Sequence, residues 1–165
     1  MTEPTSPCIV VGYDGSPEAR AALSLAVERA RMGGARCRVV VVHAIEPPDG
    51  RWDGVAYQQL VETTFERARS MLADLPEQVP GLAALEWSTE LVTGSPAAGI
   101  ADVAEFHGAT EIVVGTRGYG RARSLLGSVS HALVRYAACP VTVIPRRALN
   151  ERERSAAAPV GGDVP

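Results

Sequence analysis

Short β-branched apolar runs recur along this chain, separated by stretches in which apolar residues return every third or fourth position. Cys8 to Val11, Val39 to Val42 continuing through His43-Ala44, and Ile112-Val113-Val114 are continuous runs. Runs of this kind suit strands covered on both faces of a parallel sheet. Leu85 to Val92 alternates instead, with Leu85, Trp87, Thr89 and Leu91 on one side, which predicts a strand nearer the sheet edge with one face wet. Pro140 to Pro145 supplies a fifth strand.

The intervening stretches carry the helical period. Ser16-Pro17 reads as an N-cap and first helical residue, after which Ala19, Leu23, Ala26, Val27 and Ala30 form one stripe and Gly33-Gly34 a stop. A longer helix is predicted from about Asp53 to Leu75, with Tyr57, Leu60, Thr64, Ala68, Met71 and Leu75 on one face and Pro76 ending it. Gly94-Ser95-Pro96 repeats the cap signal before Ala97, Ile100, Ala101 and Ala104. The last helix places Val129, Ala132, Leu133 and Tyr136 three and four apart. Strands alternating with helices make an α/β fold, a doubly wound five-stranded parallel sheet with helices on both faces and right-handed crossovers. Ligands of such sheets lie at the carboxyl ends of the strands, where the strand order reverses.

Two glycine clusters fall at that end. Gly115-Thr116-Arg117-Gly118-Tyr119-Gly120 and Gly127-Ser128-Val129-Ser130 flank the connection from the Ile112 strand to the last helix. Glycines here allow positive φ and close approach to the main chain, and a helix start offers unpaired N–H groups and a favourable dipole to an anion. Phosphate binding is the reading preferred over a plain surface turn. Asp14, at the end of the first strand in Gly12-Tyr13-Asp14-Gly15, is either an Asx-turn residue or a ligand contact, with its place at the crevice favouring the contact. Arg117 carries a mild preference for a phosphate, whereas Arg121 and Arg123 read as solvent-facing, and Trp52 either covers the pocket mouth or packs on its own loop.

Composition narrows the chemistry. The 165 residues, 46% hydrophobic, suffice for one well-buried domain and are too few for two ordinary ones. Sixteen basic against nineteen acidic residues leave a net charge of -3, which argues against a nucleic-acid surface. Every positive charge is an arginine. Without lysine there is no Schiff-base chemistry and no Walker A lysine, and receiver domains are disfavoured on the same ground. Cys8, Cys37 and Cys139 are scattered in or beside apolar runs, which predicts buried free thiols in a reducing compartment. His43, His107 and His131 show neither triad nor ligand spacing and read as structural. No signal segment opens the chain and no apolar run approaches the roughly eighteen residues of a span, so a soluble cytoplasmic protein without membrane contact is expected. Residues 1–7 read as a flexible lead and 146–165 as a disordered tail.

Val10-Val11-Gly12-Tyr13-Asp14-Gly15-Ser16, Val41-Val42-His43-Ala44, Gly115-Thr-Arg-Gly118 with Gly127-Ser128-Val129-Ser130, and Ala138-Cys139-Pro140-Val141-Thr142-Val143-Ile144-Pro145 together resemble the universal stress protein family across residues 8–145. The resemblance implies strand order 3-2-1-4-5 and ATP, with or without Mg²⁺, held between strands one and four. It implies Gly12 and Asp14 at the first strand end, Asp14 lying beside the ribose or a phosphate-bound metal, and the main chain of Ala44 against the adenine. Gly115, Arg117, Gly118, Gly127, Ser128, Val129 and Ser130 would line the phosphates. It further implies a homodimer paired through the last strand, Val141 and Val143 included. The family's Gly-x-x-Gly is followed by nine residues before Gly-Ser or Gly-Thr, and here only eight, Tyr119 to Leu126, intervene. The expected function is an adenine-nucleotide-binding stress or regulatory protein rather than an enzyme. The alternative is a dimeric interaction module that has lost its nucleotide through the shorter loop. A nucleotidyl transferase of the related hydrolase fold lacks its histidine-rich motif here and ranks last.

Overall fold

A computed structural model of the chain describes residues 6–33, 37–46, 54–116 and 126–145. The elements run β1 (Cys8–Gly12), α1 (Pro17–Met32), β2 (Arg38–Ile45), α2 (Val55–Ala73), the single turn α3 (Leu75–Gln78), a 3₁₀ turn at Leu82–Ala84, β3 (Glu86–Thr93), α4 (Pro96–Phe106), β4 (Glu111–Gly115), α5 (Ser128–Tyr136) and β5 (Val141–Ile144). All strand pairs are parallel in the order β3-β2-β1-β4-β5. The α/β class and the implied order therefore hold.

Strand burial follows this order. β1, at the centre, is buried at all five positions, while edge strand β3 mixes exposed and half-buried residues and β5 is half-buried throughout. The period of two then sorts side chains onto two cores. Ile9, Val11, Val39, Val41 and Val113 join Leu23, Ala26 and Leu72 on the α1 and α2 face. Cys8, Val10, Val40, Val42, Ile112 and Val114 join Ile100, Val103 and Leu133 on the α4 and α5 face.

Two helix expectations are corrected. α2 stops at Ala73, and Pro76 sits in the first turn of α3 rather than terminating a continuous helix; proline is tolerated there because its missing N–H would lack a partner anyway. On α2 the buried residues are Ala68 and Leu72, with Leu60 left exposed. Tyr136 is 74% exposed, not part of the core stripe. α5 ends at that residue, Ala137 turns extended, and Ala137 and Cys139 pack against the core in its place. Ser95 stands at the N-cap of α4 without a side-chain bond, whereas the Ser16 hydroxyl accepts from the Ala19 amide at 3.2 Å.

Candidate functional site

β1 connects onward to β2 on one side while β4 lies on its other side, so the sheet's switch point falls between β1 and β4, paired at Val11 and Val113. The turn leaving β1 is built tightly. Gly15 has φ +81°, a conformation that favours glycine. Asp14 Oδ1 accepts from the Ser16 amide at 3.0 Å, and Arg20 Nη2 donates to the Gly15 carbonyl at 3.3 Å. Asp14 is thus an Asx-turn residue, and it also borders the crevice.

Gly115, at the end of β4, has no positive φ. It is required by close packing: a Cβ there would stand 2.6 Å from the Glu18 Cβ and 3.2 Å from the Ala19 nitrogen. Gly12 likewise faces Ile100 and Val114, at 2.7 and 2.9 Å from a hypothetical Cβ. These glycines bring α1 and α4 down onto the strand ends and shape the walls of the crevice.

A cavity of about 150 Å³ opens at this point. Its apolar wall is Pro96 and Ile100 from α4, Val114 from β4 and Val129 from α5; its polar rim is Asp14, Ser16 and His43. An apolar cavity of about this size admits an aromatic ring. Of the residues singled out from sequence, Gly12, Asp14, Ala44, Gly115 and Val129 line it. Gly127, Ser128 and Ser130 stand beyond it, at the start of α5. Arg117 and Gly118 lie outside the described residues, as do Arg121, Arg123, Trp52 and the segments 1–5 and 146–165.

Ser130 has a structural task. It is 2% exposed, and its hydroxyl is within hydrogen-bond reach of the Thr116 and Gly127 carbonyls, at 3.2 and 3.1 Å. The Gly127 amide donates to Thr116, which leaves the Ser128, Val129 and Ser130 amides as the N–H groups with no acceptor inside α5; the first intrahelical bond is His131 to Gly127 at 2.9 Å. Sequence reasoning missed Pro96, Ile100 and His43. The repeated cap signal at Ser95-Pro96 could have placed the first two, since it opens a helix at a strand's carboxyl end. The structural reading of His43 is half the account: Nδ1 lies 2.7 Å from the Tyr13 carbonyl oxygen while the ring also lines the cavity. His107 instead joins Glu90 to Arg38, whose Nη1 is 3.2 Å from Nδ1.

All three cysteines are free, and burial raises each thiol above its ordinary range; at Cys8 the Arg38 charge opposes that rise in part. Among the described residues no three His, Cys, Asp or Glu side chains are grouped to hold a metal, and no helix is long and apolar enough to cross a membrane.

The model of the universal stress protein family matches residues 8–145. A universal stress protein of Thermus aquaticus is 37% identical over 139 residues, covering 82% of this chain and 96% of the relative. One from Mycobacterium tuberculosis is 34% identical over 142 residues, and this chain spans about half that relative's length, 47%. Among solved structures, the universal stress protein UspA of Lactobacillus plantarum superposes with a TM-score of 0.70 at 25% identity, covering 86% of this chain and 99% of that one. The Archaeoglobus fulgidus universal stress protein in complex with dAMP gives 0.54 at 28% identity, covering 84% and 96%. Strand order, crevice and these matches agree, and the chain belongs to the universal stress protein family.

Proposed function

We propose that this chain binds an adenine nucleotide in the crevice between β1 and β4 and acts as a regulatory module of the stress response. One observation carries the reading: an apolar slot of ring size, walled by Pro96, Ile100, Val114 and Val129, lies beside a carboxylate and the amino end of a nine-residue helix. That arrangement suits a base in the slot, the ribose toward Asp14 and phosphate toward the free amides of α5. The dAMP complex of the Archaeoglobus relative supports it. ATP is the proposed nucleotide, with Asp14 available to a phosphate-bound Mg²⁺. Binding rather than turnover is the proposed activity, because Asp14 is the one carboxylate lining the cavity among the described residues.

A homodimer through β5 completes the proposal. Pro140 accepts from the Ile112 amide of β4 and Ile144 from the Thr116 amide just past it, so by alternation the main-chain groups of Val141 and Val143 face away from β4, an edge unpaired among the described residues and able to pair with a second copy. The same edge supports the alternative of an interaction module without nucleotide.

Calorimetry of the full chain against ATP, AMP and cyclic AMP tests the reading, with Ala44→Phe as the variant that fills the slot and sedimentation recording the dimer. The expected result is saturable binding that Ala44→Phe weakens at least about tenfold, or 1.4 kcal/mol, with its melting unchanged. No binding of any of the three by a dimeric protein would discard the nucleotide and favour the interaction module.

A further inference from the structure

The amino end of α5 is tied to the end of β4 through one carbonyl. Thr116, the residue after β4, is buried, and its amide donates to the Ile144 carbonyl of β5 at 2.8 Å. Its own carbonyl accepts from the Gly127 amide and lies 3.2 Å from the Ser130 hydroxyl. The N-cap residue of α5 is Gly127, which has no side chain to cap the helix; in α1 the Ser16 hydroxyl fills that role. Support for α5 comes instead from inside its first turn, where Ser130 stands. The Ser130 hydroxyl is also 3.1 Å from the Gly127 carbonyl, so one side chain ties both the cap residue and the strand end to the helix.

We propose that Ser130 is a positioning residue for the anion end of the site: it holds the Ser128, Val129 and Ser130 amides where a phosphate can meet them, and does not itself touch the phosphate. The inference rests on the nucleotide reading above and deepens it by naming what orients the donors. A hydroxyl has one proton to donate. Thr116 and Gly127 offer carbonyls, which only accept, and an ionised phosphate also accepts, so a proton engaged with either carbonyl is not available to the ligand. Burial agrees, since Ser130 is 2% exposed and does not line the cavity, whereas its neighbour Val129 does.

The effect on binding follows from preorganisation. The three amides serve one anion only while the first turn keeps its direction, and helix ends fray. Without the hydroxyl, the Gly127 to Thr116 bond is the remaining hydrogen-bonded tie between turn and strand among the described residues. The ligand then has to order the turn as it binds, which lowers its affinity. Adenosine has no phosphate and does not draw on these amides. Its slot is walled mainly by Pro96, Ile100 and Val114, which belong to α4 and β4, so it should feel the change far less.

The test combines calorimetry of the full chain against AMP and adenosine with amide hydrogen exchange of the ligand-free protein. Ser130→Ala should weaken AMP about fivefold, the equivalent of one ordinary hydrogen bond, and adenosine by less than about twofold. Without ligand, its Gly127 amide should exchange faster relative to the amide of Val10, which is fully buried in the central strand and reports global opening. Ser130→Cys keeps the size of the side chain with a weak donor and should behave alike, so the comparison stands even if the alanine protein does not fold. Equal AMP affinity in wild type and variant overturns the inference. So does an equal loss of AMP and adenosine, or acceleration of Gly127 and Val10 by the same factor, either of which reduces Ser130 to a stabilising residue. AMP weakened with Gly127 exchange unchanged would make the hydroxyl a direct phosphate contact, and overturns it as well. A wild type that binds neither compound overturns the nucleotide reading itself, and this inference with it.

Discussion

Replacing Gly115 by alanine tests the packing that closes the crevice. Gly115 ends β4 against the first turn of α1, and an added Cβ would lie 2.6 Å from the Glu18 Cβ, 3.1 Å from the Glu18 carbonyl carbon and 3.2 Å from the Ala19 nitrogen. Two of those atoms are backbone in a helix whose Ser16 cap and buried stripe hold it in place, so no side-chain rotation relieves the overlap. Overpacking of this kind costs about 2–3 kcal/mol. The φ of Gly115 is not positive, so alanine also removes freedom from the unfolded chain and returns about 0.4–1 kcal/mol. The net loss is about 1–2.5 kcal/mol, and at roughly 3 °C per kcal/mol for a domain this size the melting temperature falls by about 3–8 °C. Urea denaturation read by circular dichroism measures it. Glu18→Gly removes the closest contact, so the double variant should recover about 1 kcal/mol relative to additivity. A Gly115→Ala protein within about 0.5 kcal/mol of wild type, or a cycle showing no coupling, would refute the close approach of α1 to β4.

Two further outcomes are expected. Ser16→Ala should destabilise by about 1 kcal/mol because its hydroxyl caps the Ala19 amide, whereas Ser95→Ala, with no cap bond to lose, should stay within a few tenths; equal losses in urea denaturation would contradict the assignment. Burial raises the Cys8 thiol, so the folded state keeps a proton that the unfolded chain releases above about pH 8.5. That contribution is whole below this pH and is lost as pH rises past it, so the stability advantage of wild type over Cys8→Ala should shrink from pH 7.5 to 9.5; a growing advantage would reverse the sign of the argument.

Much of the fold was legible because each strand and helix announces its own period. The fully buried run at Cys8–Gly12 reads as a central strand, and the alternation from Leu85 as an edge strand. Tyr136 misled because periodicity does not tell where a helix leaves the sheet, and α5 ends at that residue. At the strand ends the sequence was legible where main-chain geometry demands a residue type, as in the Asp14 turn and at Gly115, although Gly115 serves packing against α1 rather than a positive φ. It was not where one side chain serves two neighbours. Ser130 carries the hydroxyl expected of a phosphate contact, yet holds the Thr116 and Gly127 carbonyls. His43 meets a carbonyl thirty positions away in the chain, a pairing no local spacing announces.

By itself the sequence determined that strands alternate with helices, that glycines and caps gather at the strand ends, and that lysine chemistry is absent, because these follow from local period, backbone freedom and composition. Its motifs also pointed, by resemblance, to the strand order and the family. Only the tertiary structure decided which side chains wall the crevice: Pro96 and Ile100 from one helix, Val129 from another, His43 from a neighbouring strand. The physical reason is that a cavity's lining depends on which elements the sheet order brings side by side and how closely glycines let them approach.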